Sequence, residues 1–148
     1  MLTNRGKYAL KALLHLARLP SGQVALASDI AAAQNVPKRF LDAILNDLRN
    51  ANFVRTKKGP GGGYMLARPA HGINAGDVLR SIDGPLAPIA CASLRAFKPC
   101  DDCPDVDLCV VRSLMVEVRD AIATVLERTT LAELAERADI QSELMYHI

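Results

Sequence analysis

Pro37-Lys38-Arg39-Phe40-Leu41-Asp42-Ala43-Ile44-Leu45-Asn46-Asp47-Leu48, and after it Phe53-Val54-Arg55-Thr56-Lys57-Lys58-Gly59-Pro60-Gly61-Gly62-Gly63-Tyr64-Met65-Leu66, decide the fold of this chain. In the first stretch Leu41, Ile44, Leu45 and Leu48 recur at the spacing of one helical face. They turn inward and leave Lys38, Arg39, Asp42, Ala43 and Asn46 outward, with Phe40 close to the apolar side. Pro37 suits the first position of this helix, where a missing N–H is no loss. In the second stretch two β-prone runs flank a glycine-rich turn with cations at its mouth, which predicts a hairpin. A phosphate-cradling nucleotide loop would need Gly-Lys-Ser/Thr opening a helix; these glycines open a strand.

Upstream, Lys7, Lys11, His15 and Arg18 mark the polar stripe of an amphipathic helix from Thr3 to Leu19, closed by Pro20-Ser21-Gly22. His15 is read as a solvated residue of that stripe. The Ser28 hydroxyl is expected to cap a short helix over Asp29 to Ala33. Gln34-Asn35-Val36 then joins it to the Pro37 helix, the spacing of a helix-turn-helix, although an ordinary helical hairpin shares the pattern. In a helix-turn-helix the start of the second helix enters the major groove of DNA, so Lys38 and Arg39 stand where phosphates or base edges would be met. A hairpin directly after such a motif is a wing. Gly61 and Gly62 would let its backbone approach the duplex, and Lys57 and Lys58 would neutralise phosphates.

Charge separates the chain into two regions. Residues 1–68 hold eleven Lys/Arg against three acids, a net of +8, whereas residues 69–148 hold seven against thirteen, a net of −6. This predicts a DNA-binding region over 1–68 coupled to a sensing and pairing region over 69–148 within one compact subunit. The 148 residues, half of them apolar, suffice for a packed core. No run of about 18 apolar residues occurs, so no membrane partner is expected and the chain reads as cytoplasmic.

In the acidic region Gly76–Gly84 has the spacing of a short helix closed by a glycine. Farther on, Val111, Leu114, Met115, Val118, Ile122, Val125 and Leu126 form a stripe over more than four turns. It predicts a long helix buried against a second copy of the chain, giving a homodimer. Thr130 and Glu133 spell a capping box for a last helix. The fold class is therefore mainly α with a small β-hairpin: a winged helix-turn-helix plus a long dimerisation helix.

Between these helices lie Cys91, Cys100, Cys103 and Cys109, four thiols in 19 positions. In a reducing cytoplasm such a cluster points to metal or redox chemistry rather than disulfides. Four thiolates suit either tetrahedral zinc or a small iron-sulfur cluster, and spacing alone leaves both open. Asp101, Asp102, Asp105 and Asp107 crowd the sulfurs and are expected to disfavour a free thiolate. A small dithiol oxidoreductase using Cys100-x2-Cys103 is the competing class. It lacks the strand-to-helix context of a thioredoxin-like site, and His15, His71 and His147 form no catalytic constellation. The chain therefore reads as a regulator rather than an enzyme.

Leu2-Thr3-Asn4-Arg5-Gly6-Lys7-Tyr8-Ala9, Phe40-Leu41-Asp42-Ala43-Ile44-Leu45, Leu48-Arg49-Asn50-Ala51 and above all Lys58-Gly59-Pro60-Gly61-Gly62-Gly63-Tyr64-Met65-Leu66 resemble the bacterial winged-helix regulators of the IscR and NsrR type. The resemblance implies a homodimeric transcription factor on a double-stranded DNA operator, controlled in many members by an iron-sulfur cluster. The cluster expected is 2Fe-2S, with 4Fe-4S or zinc as alternatives and a thiol-redox sensor as a further one. Cys91, Cys103 and Cys109 match the family's shared ligands. The fourth ligand departs from the pattern: the position three residues after the last cysteine, a His in one member, is Arg112. Where other members supply a carboxylate or His from the partner's first helix, this chain offers Tyr8, Lys11 and Ala12. Cys100 is expected to fill the vacancy within the chain.

Overall fold

In the computed structural model, which describes residues 2–148, the first helix, α1, runs Asn4–Ala17 behind Thr3, whose hydroxyl accepts a hydrogen bond from the Gly6 N–H at 3.2 Å. Helices α2 (Ala27–Gln34) and α3 (Lys38–Asn50) follow, then strands β1 (Val54–Lys57) and β2 (Gly63–Leu66), α4 (Ala75–Asp83), α5 (Val110–Arg128) and α6 (Leu131–Tyr146). The fold is mainly helical, with one hairpin and two long C-terminal helices.

The spacing argument for α3 holds side chain by side chain. Leu41, Ile44, Leu45 and Leu48 are fully buried, while Lys38, Arg39, Asp42, Ala43 and Asn46 face outward. Phe40 is 46% exposed and belongs to the outer face. The start differs by one residue: Pro37 is the cap itself, its carbonyl accepting the Phe40 and Leu41 N–H groups at 3.1 Å. Ser28 is not a cap. Helix α2 already begins at Ala27 behind Leu26, without a side-chain cap, and Ser28 sits in its first turn. The tight joint between α2 and α3 comes instead from Asn35 in the left-handed conformation (φ 52°), which the short Asn side chain tolerates.

Strands β1 and β2 pair antiparallel with Val54 opposite Leu66 and Lys57 opposite Gly63. A third segment joins them: Ala25 exchanges both backbone hydrogen bonds with Tyr64, at 2.9 and 2.7 Å. A Cβ on Gly63 would stand 2.6 Å from the Ala25 carbonyl oxygen, so glycine there permits this approach. The bridge roots the hairpin in the chain just before α2.

One apolar core underlies these elements. Leu13, Ile30, Leu41, Ile44, Leu45 and Leu48 share it with Ile73 and Val78 around α4 and with Leu131 of α6. Each such side chain contributes about 1.5–3 kcal/mol when fully buried. Helix α6 opens with the capping box: the Thr130 hydroxyl accepts from the Glu133 N–H, and the Glu133 carboxylate accepts from the Thr130 N–H. Helix α5 has no buried residue at all. No helix among the described residues is long and apolar enough to cross a membrane.

Candidate functional site

Among the exposed cations of residues 1–68, those expected at DNA come from two elements. On α3, Lys38 holds Asp42 one turn on at 2.9 Å, and the Arg39 guanidinium lies 4.7 Å from the Phe40 ring centre. Both lysine and carboxylate are about half exposed, so this pair is weak and a phosphate can displace it. On the hairpin Arg55, Lys57 and Lys58 are exposed. Gly59 and Gly61 adopt φ of 90° and 72° with open space around them. Gly62 serves the turn itself: its N–H bonds the Gly59 carbonyl at 2.9 Å, and a Cβ would fall 2.2 Å from the Lys57 carbonyl oxygen. The six residues expected at DNA thus lie on the start of α3 and on the hairpin tip.

Two polar residues of α1 depart from the solvated stripe. Lys11 reaches across to the Gln34 carbonyl and closes the end of α2. His15 is half-buried; desolvation first, and the Arg18 charge second, lower its pKa against an opposing pull from Asp29. Arg5 meanwhile bridges α1 to Asp47 of α3. At the helix start, the Asp83 carboxylate accepts from the Thr3 N–H at 2.9 Å and from the Thr3 hydroxyl, joining α1 to the end of α4.

Two of the four cysteines stand sulfur to sulfur, and the other two precede the start of α5. Cys91 is buried in a one-turn 3-10 helix, Ala90–Ala92, and its Sγ lies 3.8 Å from the Sγ of exposed Cys100. Half-buried Cys103 donates its thiol to the Asp105 carbonyl at 3.6 Å, and half-buried Cys109 lies near enough to raise its pKa. Among the described residues no three His, Cys, Asp or Glu side chains converge as a metal-holding group, so the single four-sulfur set expected from the spacing is absent as such. The geometry of the first pair nevertheless suits a metal. Two sulfurs about 2.3 Å from one tetrahedral ion stand about 3.8 Å apart.

The thiols differ in acidity. Cys109 caps α5, accepting the Arg112 N–H at 3.4 Å; this hydrogen bond is the chief reason its pKa is lowered. Burial above all, then the Cys109 thiol, raises Cys103, and its hydrogen bond with Cys91 above all raises Cys100. Asp102 adds to both rises as a lesser cause. Of the four aspartates expected to suppress thiolate, only Asp102 does so, weakly, at Cys100 and Cys103, and none is among the causes acting on Cys109.

Sequence reasoning missed the residues that attach this loop to α5. Arg112 Nε donates to the Cys91 carbonyl at 2.8 Å, and Arg119 Nη1 donates to the Ala92 carbonyl at 2.7 Å. Arg112 thus acts as a clip where a family member carries a ligand. The signal was present as two arginines seven residues apart, hence on one face of a helix. The residues offered in place of a partner's ligand are engaged elsewhere: Ala12 is fully buried, Tyr8 packs on the core and Lys11 holds Gln34.

The long stripe divides in two. Val111, Leu114 and Val125 are 63%, 54% and 50% exposed. With Val118 and Ala121 they form a seam at alternating threes and fours on the free side of α5. Ile122 and Leu126 instead turn toward Leu79 and Leu86 of their own subunit, across an apolar cleft of about 200 Å³.

Comparison with known proteins agrees with this architecture. The Rrf2 family, described as iron-dependent transcriptional regulators, matches residues 2–137. An rrf2-like HTH-type transcriptional regulator of Rhodobacter capsulatus is 38% identical over 148 residues, covering 98% of this chain and 99% of the relative. The structure of CymR, the global cysteine regulator of B. subtilis, superposes with a TM-score of 0.76 at 29% identity, over 93% of this chain and 97% of that one. IscR of T. potens gives 0.73 at 26% identity, over 93% and 88%.

Proposed function

The chain belongs to the Rrf2 family of iron-dependent transcriptional regulators, and on that premise we propose that it is a homodimeric DNA-binding regulator whose operator affinity is set by an iron-sulfur cluster held by Cys91, Cys100, Cys103 and Cys109. The observation that carries the proposal is the 3.8 Å separation of the Cys91 and Cys100 sulfurs, the bite of one tetrahedral metal, in a loop clipped to α5. Cys103 and Cys109 would supply the remaining two thiols of a 2Fe-2S ligand set within one chain once the loop brings them to the first pair. When bound, the cluster supplies redox sensitivity.

The protein's own residues carry the consequence to DNA. Arg112 and Arg119 tie the Cys91 turn to α5, and Cys109 caps that helix. Ordering or releasing the loop therefore acts on the start of α5, which presents the free apolar seam to a second copy. Asp83 joins the end of α4 to α1, and Arg5 joins α1 to α3. In the dimer Lys38 and Arg39 approach the major groove while Lys57 and Lys58, on the Gly61-Gly62 turn, contact phosphates of the adjoining groove.

The test is the visible spectrum of anaerobically purified protein, followed by binding of holo and apo forms, at one salt concentration, to a duplex selected from a random pool. A coloured protein whose two forms differ in affinity is expected. Ser at Cys91, Cys103 or Cys109 should abolish the colour, and Cys100→Ser should alter it. A colourless protein containing zinc would make the site a zinc centre, and equal affinities would make the metal structural. A normal spectrum in Cys100→Ser would return the fourth ligand to the partner subunit.

A further inference from the structure

A second cavity, about 520 Å³, lies between the end of α4, the segment leading to and from Cys91, and the flank of α5. Its volume falls in the range of small-molecule sites. The wall from α5 is built by residues 119, 120, 123, 124 and 127, whereas the free seam is 111, 114, 118, 121 and 125. At about 100° per residue these two stripes face roughly 160° apart. A dimer formed through the seam therefore leaves this cavity open.

The polar groups in its wall are of both signs and unequally satisfied. Arg80 is committed to Asp77 and Glu127, and Arg119 to Asp120 and the Ala92 carbonyl. Arg95, exposed in the same wall, makes no side-chain hydrogen bond or ion pair among the described residues. Asp120 uses only Oδ1 and Glu127 only Oε1 in these bonds, leaving one oxygen free on each. One free guanidinium is the bidentate partner of a carboxylate, and free carboxylate oxygens accept from an ammonium. Between them the lining is apolar, from Leu86 to Ala123.

We propose that this cavity binds an apolar α-amino acid, its carboxylate on Arg95, its ammonium on the free oxygen of Asp120 or of Glu127, and its side chain against Leu86 and Ala123. This goes beyond the cysteine site and does not depend on which metal that site holds. The wall includes Ser93, two residues after Cys91, and Arg119, which grips Ala92. Occupancy would stiffen the same turn that carries the first cysteine, so the two sites are coupled, and coupling is reciprocal.

The experiment titrates the full-length protein as purified with L-valine, L-leucine, L-isoleucine, L-methionine and L-phenylalanine by calorimetry. At least one is expected to bind with a dissociation constant of about 1 mM or tighter. For that amino acid, the amine lacking the carboxylate and the acid lacking the amine should each bind at least about tenfold more weakly. Arg95→Gln, at an exposed position, should weaken binding by a similar factor, and Ala123→Phe should fill the cavity and abolish it. Absence of binding by all five would overturn the proposal. So would an analogue that binds as tightly, undiminished affinity in Arg95→Gln, or binding that survives in folded Ala123→Phe.

Discussion

Helices α3 and α5 are both amphipathic, and they finish their packing differently. All four apolar anchors of α3 are fully buried within the subunit, whereas α5, longer by six residues, buries none. The first helix is complete as part of a monomer; the second carries a row of half-exposed valines and leucine that one chain does not cover. Local stability should follow the same division. On the proposed function, the basic region would hold its DNA-reading surface rigid by itself, while α5 and the cysteine loop on its N-terminus would gain their final order from a partner copy and a bound metal.

The sharpest way to break this contrast is to place a charge in the seam. Leu114→Glu leaves an uncompensated carboxylate in each half of a desolvated interface, at about 3–5 kcal/mol per site. The dimer dissociation constant should rise by at least about two orders of magnitude in sedimentation experiments, with helical content retained. An intact dimer would move the interface away from α5. The matching change in α3, Leu45→Ala, should act on folding instead, lowering the unfolding free energy by about 2–5 kcal/mol at unchanged oligomeric state.

The proposed DNA surface is sharpened by replacing Lys57 and Lys58 together with Gln. The two cations are exposed and stand clear of the core, so stability should be unchanged. Affinity should fall, and the slope of log affinity against log salt should flatten by about one unit for each phosphate no longer neutralised. An unchanged slope would take the hairpin tip off the duplex.

The smallest effect concerns His15. Its folded pKa lies below the ordinary histidine value, so the folded state favours the neutral ring. Its contribution is fully present above the unfolded pKa of about 6.5 and is lost as pH falls from there through the folded value. Stability should therefore decline slightly more steeply below neutrality in the wild type than in His15→Gln, measured by denaturant titration across that window. Equal pH slopes would mean that the ring is as well solvated folded as unfolded.

Much of the fold was legible in the sequence because the relevant signals are local. The spacing of Leu41, Ile44, Leu45 and Leu48 needs only the helical repeat to tell inside from outside, and the Thr130–Glu133 box completes itself within one turn. The glycines of 59–63 announce a turn, and the charge imbalance between the two regions is a property of composition. The resemblance carried by the Lys58–Leu66 segment added the family, and with it the reason to read the cysteines as ligands.

What only the tertiary structure decided are relations between residues far apart in the chain. Lys11 and His15 looked solvated on their own helix, and the neighbouring α2 ending at Gln34 and the burial around His15 gave them other surroundings. The Ala25 bridge to Tyr64 has no local signature, since a single antiparallel pair needs only two compatible backbones. The stripe on α5 could be read as one seam, but which side of it faces Leu79 and which stays free depends on where α4 packs. The cysteine spacing likewise gave four candidate ligands without their pairing. Pairing depends on how the loop is folded back: here the arginines of α5 hold the Cys91 turn, and the loop returns to bring the Cys100 sulfur within 3.8 Å of the Cys91 sulfur. Helical and turn preferences act between neighbours in sequence, so sequence determines them; packing, burial and sulfur-to-sulfur distance act through space, and only the assembled chain sets them.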